Sequence, residues 1–163
     1  MINGDYLNLT KGQLKSKDGI DLHSRKDFDG MHTAGRVAAE ILDEIVTSVF
    51  PGQTTGKIDA IIEELIRDKN VESGTIGYRG YQHASCISVN HVVCHGIPSD
   101  KILKEGDILN IDVTVIKDGW YGDTSRMYVA GQPSRKAERL IQVTHDALFL
   151  SLIHISEPTR QSL

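Results

Sequence analysis

The stretch GDILNIDVTVIKDGWYGDTSRMYVAG, residues 106–131, predicts a β-hairpin that carries polar side chains on one face. Its first arm, residues 108–116, alternates between an apolar set (Ile111, Val113 and Val115) and a polar set (Asn110, Asp112 and Thr114). The dipeptide Asp118-Gly119 favours a tight two-residue turn, because both residue types tolerate positive φ. The second arm is then residues 121–130.

The turn fixes which residues of the two arms face each other. With Asp118 and Gly119 as the loop, Thr114 lies opposite Asp123. Asp112 is then the diagonal neighbour of Asp123 on the same face, with about 7–8 Å between their Cα atoms. Two carboxylates that close repel each other unless a proton or a cation lies between them, and carboxylate oxygens suit divalent metal ions. The alternative is a pair of ordinary solvated aspartates, which a one-residue bulge would place on opposite faces.

Composition bounds the class of protein. A chain of 163 residues with 39% hydrophobic and 25% charged residues is typical of one globular domain. The net charge of -4 gives no electrostatic case for binding nucleic acid or an anionic membrane. No apolar run reaches the ~20 residues of a membrane span, and the first residues do not have a signal-peptide pattern. The two cysteines do not make a disulfide framework, which favours a reducing, cytoplasmic location.

Hydrophobic spacing predicts three helices. Residues 1–25 are polar and without periodicity, so we expect a loose N-terminal extension there. Apolar residues at helical spacing predict a first helix over residues 26–50 and a second from about Thr55, capped by Thr54 or Thr55. A third helix follows the hairpin, with Ser134 as its N-cap. His32 and His145 are expected at the surface of the first and third helices.

Residues 86–98, CISVNHVVCHGIP, are the second stretch that contains several candidate functional side chains. Val92 and Val93 predict a short buried strand, which places His95 in the loop directly after it, where functional residues often lie. A single histidine there suits hydrogen-bond donation to a substrate amide or a developing oxyanion. A zinc site built from Cys86, Cys94 and the neighbouring histidines is the weaker alternative, because the residues lack an established metal-binding spacing.

Two tyrosines precede this stretch in the run GYRGY, residues 77–81. Tyr78 and Tyr81 either shield the core or, together with Cys86, wall an apolar substrate pocket, since tyrosine offers rigid contact area with a polar tip. Composition and spacing do not choose between these two interpretations.

These stretches together resemble the bacterial type I methionine aminopeptidases. The resemblance is carried by SCISVNHVVCHGIP (residues 85–98), by GDILNIDVTVIKDGWYGDTS (106–125), by MHTAGRVAAE (31–40) and by Pro51-Gly52. It covers roughly residues 26–149, and the joint motif is far more specific than the aspartate pair alone.

The resemblance implies an α+β protein, namely the N-terminal half of a pita-bread (creatinase/aminopeptidase-like) fold, with helices packed on one face of an antiparallel sheet. It also implies roles for individual residues. Asp112 and Asp123 match two metal ligands, and His95 matches the histidine that contacts the scissile amide. The methionine side-chain pocket is matched by Tyr78, Tyr81 and Cys86, and a monovalent-cation site by Asn90 and Val92. Thr75 stands where a cysteine is often found.

The implied activity is removal of the initiator methionine from nascent polypeptides near the ribosome, by a monomeric enzyme that needs no nucleic acid or membrane partner. The implied cofactors are two divalent ions, from among Co, Mn, Fe, Zn and Ni, with one monovalent cation. Bridging ions lower the pKa of a shared water and polarise the scissile carbonyl.

The resemblance also concerns the end of the chain. The family takes one further His and two Glu ligands, and a second catalytic His, from a C-terminal half, so residues 26–149 are expected to be inactive alone. Residues 150–163 resemble the in-frame translation of a sequencing adapter, and we expect a non-native tail whose His154 and Glu157 are not ligands.

Two alternatives to an aminopeptidase stay open at this point. A proline-specific peptidase of the same fold would carry a large domain before its catalytic one, whereas only about 25 residues precede the first predicted helix. A non-catalytic pita-bread binding module would lose its metal ligands, whereas Asp112, Asp123 and His95 are all present.

Overall fold

The computed structural model describes residues 15–16 and 18–156, with the backbone alone for residues 153–156. Residues 1–14 and 17 of the predicted extension, and residues 157–163 of the predicted tail, lie outside the described residues. The helices are α1 (Arg25–Glu44), α2 (Thr55–Asp68) and α3 (Arg135–Ser156). The strands are β1 (Glu72–Ser73), β2 (Ser85–Val89), β3 (Asp107–Lys117) and β4 (Trp120–Ala130), and short 3-10 helices span Ile45–Ser48 and Tyr78–Gly80.

The predicted hairpin is the centre of the sheet. β3 pairs antiparallel with β4 along its whole length, from Asp107 opposite Ala130 to Lys117 opposite Trp120. β2 and β1 pair antiparallel with successive parts of the other edge of β3. The turn residues Asp118 and Gly119 have φ of 50° and 80°, and Thr114 is paired with Asp123. The predicted turn and register are therefore confirmed.

One face of this sheet forms the core and the other stays open. The apolar set of β3 is fully buried, whereas its polar set is only half-buried. Helices α1 and α2 and the 3-10 turn between them pack on the buried face, with the side chains Ala38, Ile41, Leu42, Ile45, Ile58, Ile62 and Ile66. The predicted α+β class, with helices on one face of an antiparallel sheet, is confirmed.

Helix α1 lies directly on β4. An added Cβ on Gly122 would lie 2.2 Å from the carbonyl oxygen of Ala34, so the close approach requires a residue without a side chain. The hydroxyl of Tyr128 donates a 2.6 Å hydrogen bond to the carbonyl oxygen of Leu42. These contacts fix the helix against the hairpin and leave the opposite face of β4 free for the site.

The helix predictions hold with adjusted bounds. The first helix ends at Glu44 and continues as a 3-10 turn to Ser48, and Thr54 is the residue that caps α2, by accepting from the backbone N–H of Lys57. Ser134 Oγ accepts from the N–H of Ala137 at 3.2 Å. His32 and His145 are exposed as expected. In the described part of the chain, no helix combines the length and apolar character of a membrane span.

The prediction of a strand at Val92 and Val93 is wrong. The strand is β2, which ends at Val89, and Val93 is 93% exposed. The chain turns at Asn90, where φ is 55°, and leaves the sheet. Residues 85–89 form the strand because they pair with β3. Local hydrophobicity does not reveal such a pairing partner.

Candidate functional site

The open face of the hairpin forms one wall of a cavity of about 780 Å³. Its lining residues are Gly74, Thr75, Tyr78, Arg79, Gly80, Tyr81, Cys86, His95, Asp112, Thr114, Tyr121 and Asp123. The six side chains singled out in the sequence as catalytic, substrate-binding or metal-binding are all in this set. Strands β2, β3 and β4 and the segment before β2 thus bring residues far apart in the chain to one place.

Asp112 and Asp123 interact directly across β3 and β4. Burial raises the pKa of the Asp112 carboxyl above its usual range, and the charge of Asp123 and a hydrogen bond with it raise this pKa further. The proximity of His95 acts in the opposite direction. A partly desolvated carboxyl beside a second one therefore holds its proton more tightly than an ordinary aspartate.

This electrostatic conflict tests whether the pair fits a metal ion. A divalent cation between the two carboxylates would remove the repulsion, and their oxygens are donors that such ions accept. Among the described side chains, those of residues 15–16 and 18–152, however, no group of three or more His, Cys, Asp or Glu is arranged to hold an ion. The pair fits as part of a ligand set, and further donors are needed to complete it.

His95 is held over the open face by an unusual backbone. Its φ is 53°, a left-handed conformation that is uncommon for residues other than glycine. Gly96 fixes the loop behind it: its N–H donates to Ser88 Oγ at 3.0 Å, and its carbonyl accepts from the N–H of Ile87 at 2.8 Å. Non-glycine residues in this conformation are often found at functional sites.

Cys86 lies beside Asp112, as its cross-strand partner on β2, and forms an uncharged wall of the cavity together with the two tyrosines. Tyr81 donates from its hydroxyl to the carbonyl oxygen of Ser85 at 2.8 Å, and Cys86 Sγ lies 3.6 Å from the same hydroxyl. Burial raises the pKa of Tyr81 and is also the main cause of the raised pKa of Cys86. Tyr78 is 65% exposed at the rim, with the guanidinium of Arg79 5.4 Å from its ring centroid. The deep part of this wall is thus uncharged.

Asn90 and Val92, the predicted monovalent-cation residues, lie away from the cavity. The Asn90 side chain donates to Asp107 at 2.8 Å and accepts from the N–H of Ile108 at 3.1 Å. Burial tends to raise the pKa of Asp107, but the bonds from Asn90 and the Lys104 backbone, with nearby lysines, lower it overall. The side chain of Asn90 thus anchors the start of β3, and the cation site stays a prediction.

Sequence reasoning missed several lining residues. Thr114 and Tyr121 belong to the same face of the hairpin as Asp112, so the correct register alone was sufficient to find them. Gly74 reaches the site through the two-residue pairing of β1 with β3, which has no local sequence signal. Thr75 is in the lining, and its hydroxyl donates to the carbonyl oxygen of His83 at 2.8 Å.

An open sheet face with a carboxylate pair, a neighbouring histidine and an uncharged pocket is the kind of site found in metal-dependent hydrolases. Residues 29–159 match metallopeptidase family M24. The chain belongs to that family, and the predicted pita-bread fold is confirmed.

Individual relatives narrow the comparison. The chain is 53% identical to the methionine aminopeptidase of Rickettsia prowazekii in its crystal structure, covering 78% of this chain and 51% of that one with a TM-score of 0.77. It is 48% identical to the methionine aminopeptidase of Escherichia coli strain K12, over 82% of this chain and 51% of the relative. The chain thus spans about half the length of the curated relatives it matches.

A prolidase from Pyrococcus horikoshii shares the fold alone. Its crystal structure matches 76% of this chain and 34% of its own with a TM-score of 0.66, but the identity is 21%. This likeness supports the architecture of the sheet and helices and carries nothing about substrate.

Proposed function

We propose that this chain carries part of the active site of a metal-dependent aminopeptidase that removes methionine from the N-terminus of polypeptides. The observation that carries the proposal is one cavity that is lined both by Asp112, Asp123 and His95 and by Tyr81 and Cys86. A peptide end needs both halves of this cavity: a polar side where the bond is cut and an uncharged side that holds the methionine side chain. Similarity to methionine aminopeptidases supports this substrate over others.

In this proposal Asp112 and Asp123 hold two divalent metal ions through their carboxylate oxygens. When bound, such ions lower the pKa of a coordinated water and act as Lewis acids toward a carbonyl oxygen. His95 donates a hydrogen bond from its imidazole to the scissile amide. Its left-handed backbone and the fixed Gly96 loop keep the imidazole in one orientation. Tyr78, Tyr81 and Cys86 contact the methionine side chain and exclude water from it.

Four finer parts of the proposal come from the family resemblance. The metal is one of Co, Mn, Fe, Zn or Ni, and a monovalent cation binds near Asn90 and Val92. The substrates are nascent polypeptides in the cytoplasm near the ribosome, and the full-length enzyme is a monomer.

The 163-residue chain by itself is expected to bind metal weakly and to have little peptidase activity. Two carboxylates leave each ion with fewer protein ligands than a stable site has, and weak coordination contributes little to folding. The open face also leaves apolar side chains such as Tyr121 in contact with solvent.

Isothermal titration with Mn²⁺ tests the metal assignment on this chain. We expect weak binding that disappears in Asp112→Ala and persists in Asp118→Asn, a control that removes a carboxylate from the hairpin turn and tolerates its left-handed backbone. Binding that survives Asp112→Ala would contradict the assignment. Tight binding of two ions together with cleavage of Met-Ala-Ser would contradict the expectation of inactivity.

The comparisons do not favour the two alternative functions. Relatives at 47–53% identity carry the name methionine aminopeptidase, whereas the prolidase likeness shows the fold alone. Retention of both aspartates and His95 in the cavity also argues against a binding module without catalysis.

A further inference from the structure

A buried carboxylate lies directly behind the tyrosine wall of the cavity. Asp59 of α2 is only 6% exposed. One of its oxygens accepts hydrogen bonds from the N–H of Ser85 at 2.9 Å and from Ser85 Oγ at 2.7 Å. The other oxygen lies 3.0 Å from His83 Nδ1. A single carboxylate thus binds the first residue of β2 and one residue just before that strand, both within the segment of residues 83–85.

The same segment holds the wall residues in place. The carbonyl oxygen of Ser85 accepts from the hydroxyl of Tyr81 at 2.8 Å, and the carbonyl oxygen of His83 accepts from Thr75 Oγ1 at 2.8 Å. The rings of Tyr81 and His83 also meet edge to face, with centroids 5.5 Å apart. Cys86 directly follows Ser85 and contacts the Tyr81 hydroxyl. Displacing His83 and Ser85 would therefore displace the wall.

We propose that Asp59 and His83 form a clamp that positions Tyr81 and Cys86 and thereby sets the shape of the side-chain pocket. Neither residue lines the cavity, so both act as positioning residues through their neighbours. A buried carboxylate without its donors carries a large desolvation penalty, which keeps the segment against α2. The clamp is a property of the fold, and its effect on methionine recognition rests on the proposed function.

The sequence contains a signal for this clamp. Asp59 follows Ile58 and lies one turn before Ile62, so it falls on the stripe of α2 that faces the core. A charged residue on a core-facing stripe needs a partner, and His83 and Ser85 supply the donors from 24 and 26 residues away.

Two substitutions of His83 separate the hydrogen bond from the ring contact. His83→Phe keeps a ring against Tyr81 and removes the donor to Asp59. His83→Asn loses the ring but places an amide nitrogen close to the position of Nδ1. The His83 side chain is 33% exposed, so both changes avoid the deep core. His145→Phe is the matched control, because His145 forms an exposed histidine–aspartate pair on α3.

The first readout is the rate at which iodoacetamide alkylates Cys86, measured in a Cys94→Ser background that leaves one thiol in the chain. Loss of one hydrogen bond of ordinary strength predicts about a 3- to 10-fold faster reaction in His83→Phe. His83→Asn and His145→Phe should stay close to the parent rate. An unchanged rate in His83→Phe, or an equal increase in His83→Asn, would overturn the clamp.

The second readout is the affinity for methioninamide, followed by NMR titration. It should weaken in His83→Phe by a similar factor and stay unchanged in His145→Phe; unchanged affinity in His83→Phe would overturn the effect on recognition. If the parent does not bind methioninamide at all, the proposed methionine pocket fails while the alkylation rates still decide the clamp.

A second variant is used if His83→Phe loses its helical circular dichroism. Ser85→Ala removes the 2.7 Å hydrogen bond to Asp59 and should give the same increase in the alkylation rate of Cys86.

Discussion

Asp112 and Asp123 lie diagonally across β3 and β4 on the open face, and the charge of Asp123 raises the pKa of Asp112. This relationship gives a direct prediction for Asp123→Asn. Removing the neighbouring charge and hydrogen bond should lower the pKa of Asp112, while burial, the larger cause of the shift, keeps it above the usual range. Carboxyl ¹³C NMR titration of the metal-free chain measures the change.

Asp118→Asn is the control for this experiment. It also removes one carboxylate from the hairpin, and Asn tolerates the left-handed backbone at that turn position. It should leave the pKa of Asp112 where it is. An Asp112 titration that is identical in Asp123→Asn and in the parent would show that the two carboxyl groups do not interact.

The left-handed backbone of His95 predicts an unusual order of stability for its variants. At a φ of 53° a side chain is strained by about 1–2 kcal/mol, a strain that glycine does not have. His95→Gly should therefore have a higher free energy of unfolding than His95→Ala by about 1 kcal/mol, as measured by urea denaturation. Both variants remove the imidazole, so the loss of its contacts cancels in the comparison.

His91 provides the comparison site in the same loop. Its φ is outside the left-handed region, so His91→Ala is expected to be at least as stable as His91→Gly. A glycine advantage at both positions, or at neither, would contradict the explanation based on strain at His95.

The parts of the structure that were predictable are those set by neighbours in the chain. The hairpin register follows from the Asp118-Gly119 turn and from alternation, and these placed Asp112 beside Asp123. The position of β2 depends instead on pairing with β3, some 24 residues away, and the prediction at Val92 was wrong for that reason. Asp59 was missed as well, because its donors come from a separate segment.

The close contact between α1 and β4 predicts that a side chain added at Gly122 lowers the free energy of unfolding. An alanine methyl group there would overlap the carbonyl of Ala34, and the helix can make room only by moving off the strand. Gly122→Ala should destabilise the chain by about 1–3 kcal/mol in urea denaturation. The movement would also disturb β4, which carries Asp123 on its other face.

Gly35→Ala is the matched control on the helix side of the same interface. A Cβ at Gly35 meets nothing within 4 Å, and alanine is the better helix former, so this change should stabilise by about 0.5–1 kcal/mol. If both substitutions destabilise to the same extent, the effect at Gly122 does not come from close packing.

Tyr128 predicts a loss of stability in alkali. Burial raises the pKa of Tyr128 to about 12 from the ordinary value of 10.0, with Arg126 lowering it and Asp43 raising it to smaller extents. Between these two values the folded chain keeps the phenol proton while the unfolded chain releases it, so the free energy of unfolding falls as the pH rises through this interval. Urea denaturation across the interval measures the slope.

Tyr128→Phe should reduce this slope because it removes the titrating group. It also removes the hydrogen bond to Leu42, so the variant should be about 0.5–1.5 kcal/mol less stable near neutral pH. Tyr121→Phe, at an exposed position on the same strand, should change neither quantity appreciably. A slope that persists unchanged in Tyr128→Phe would assign the alkaline transition to another group and contradict the role given to this buried phenol.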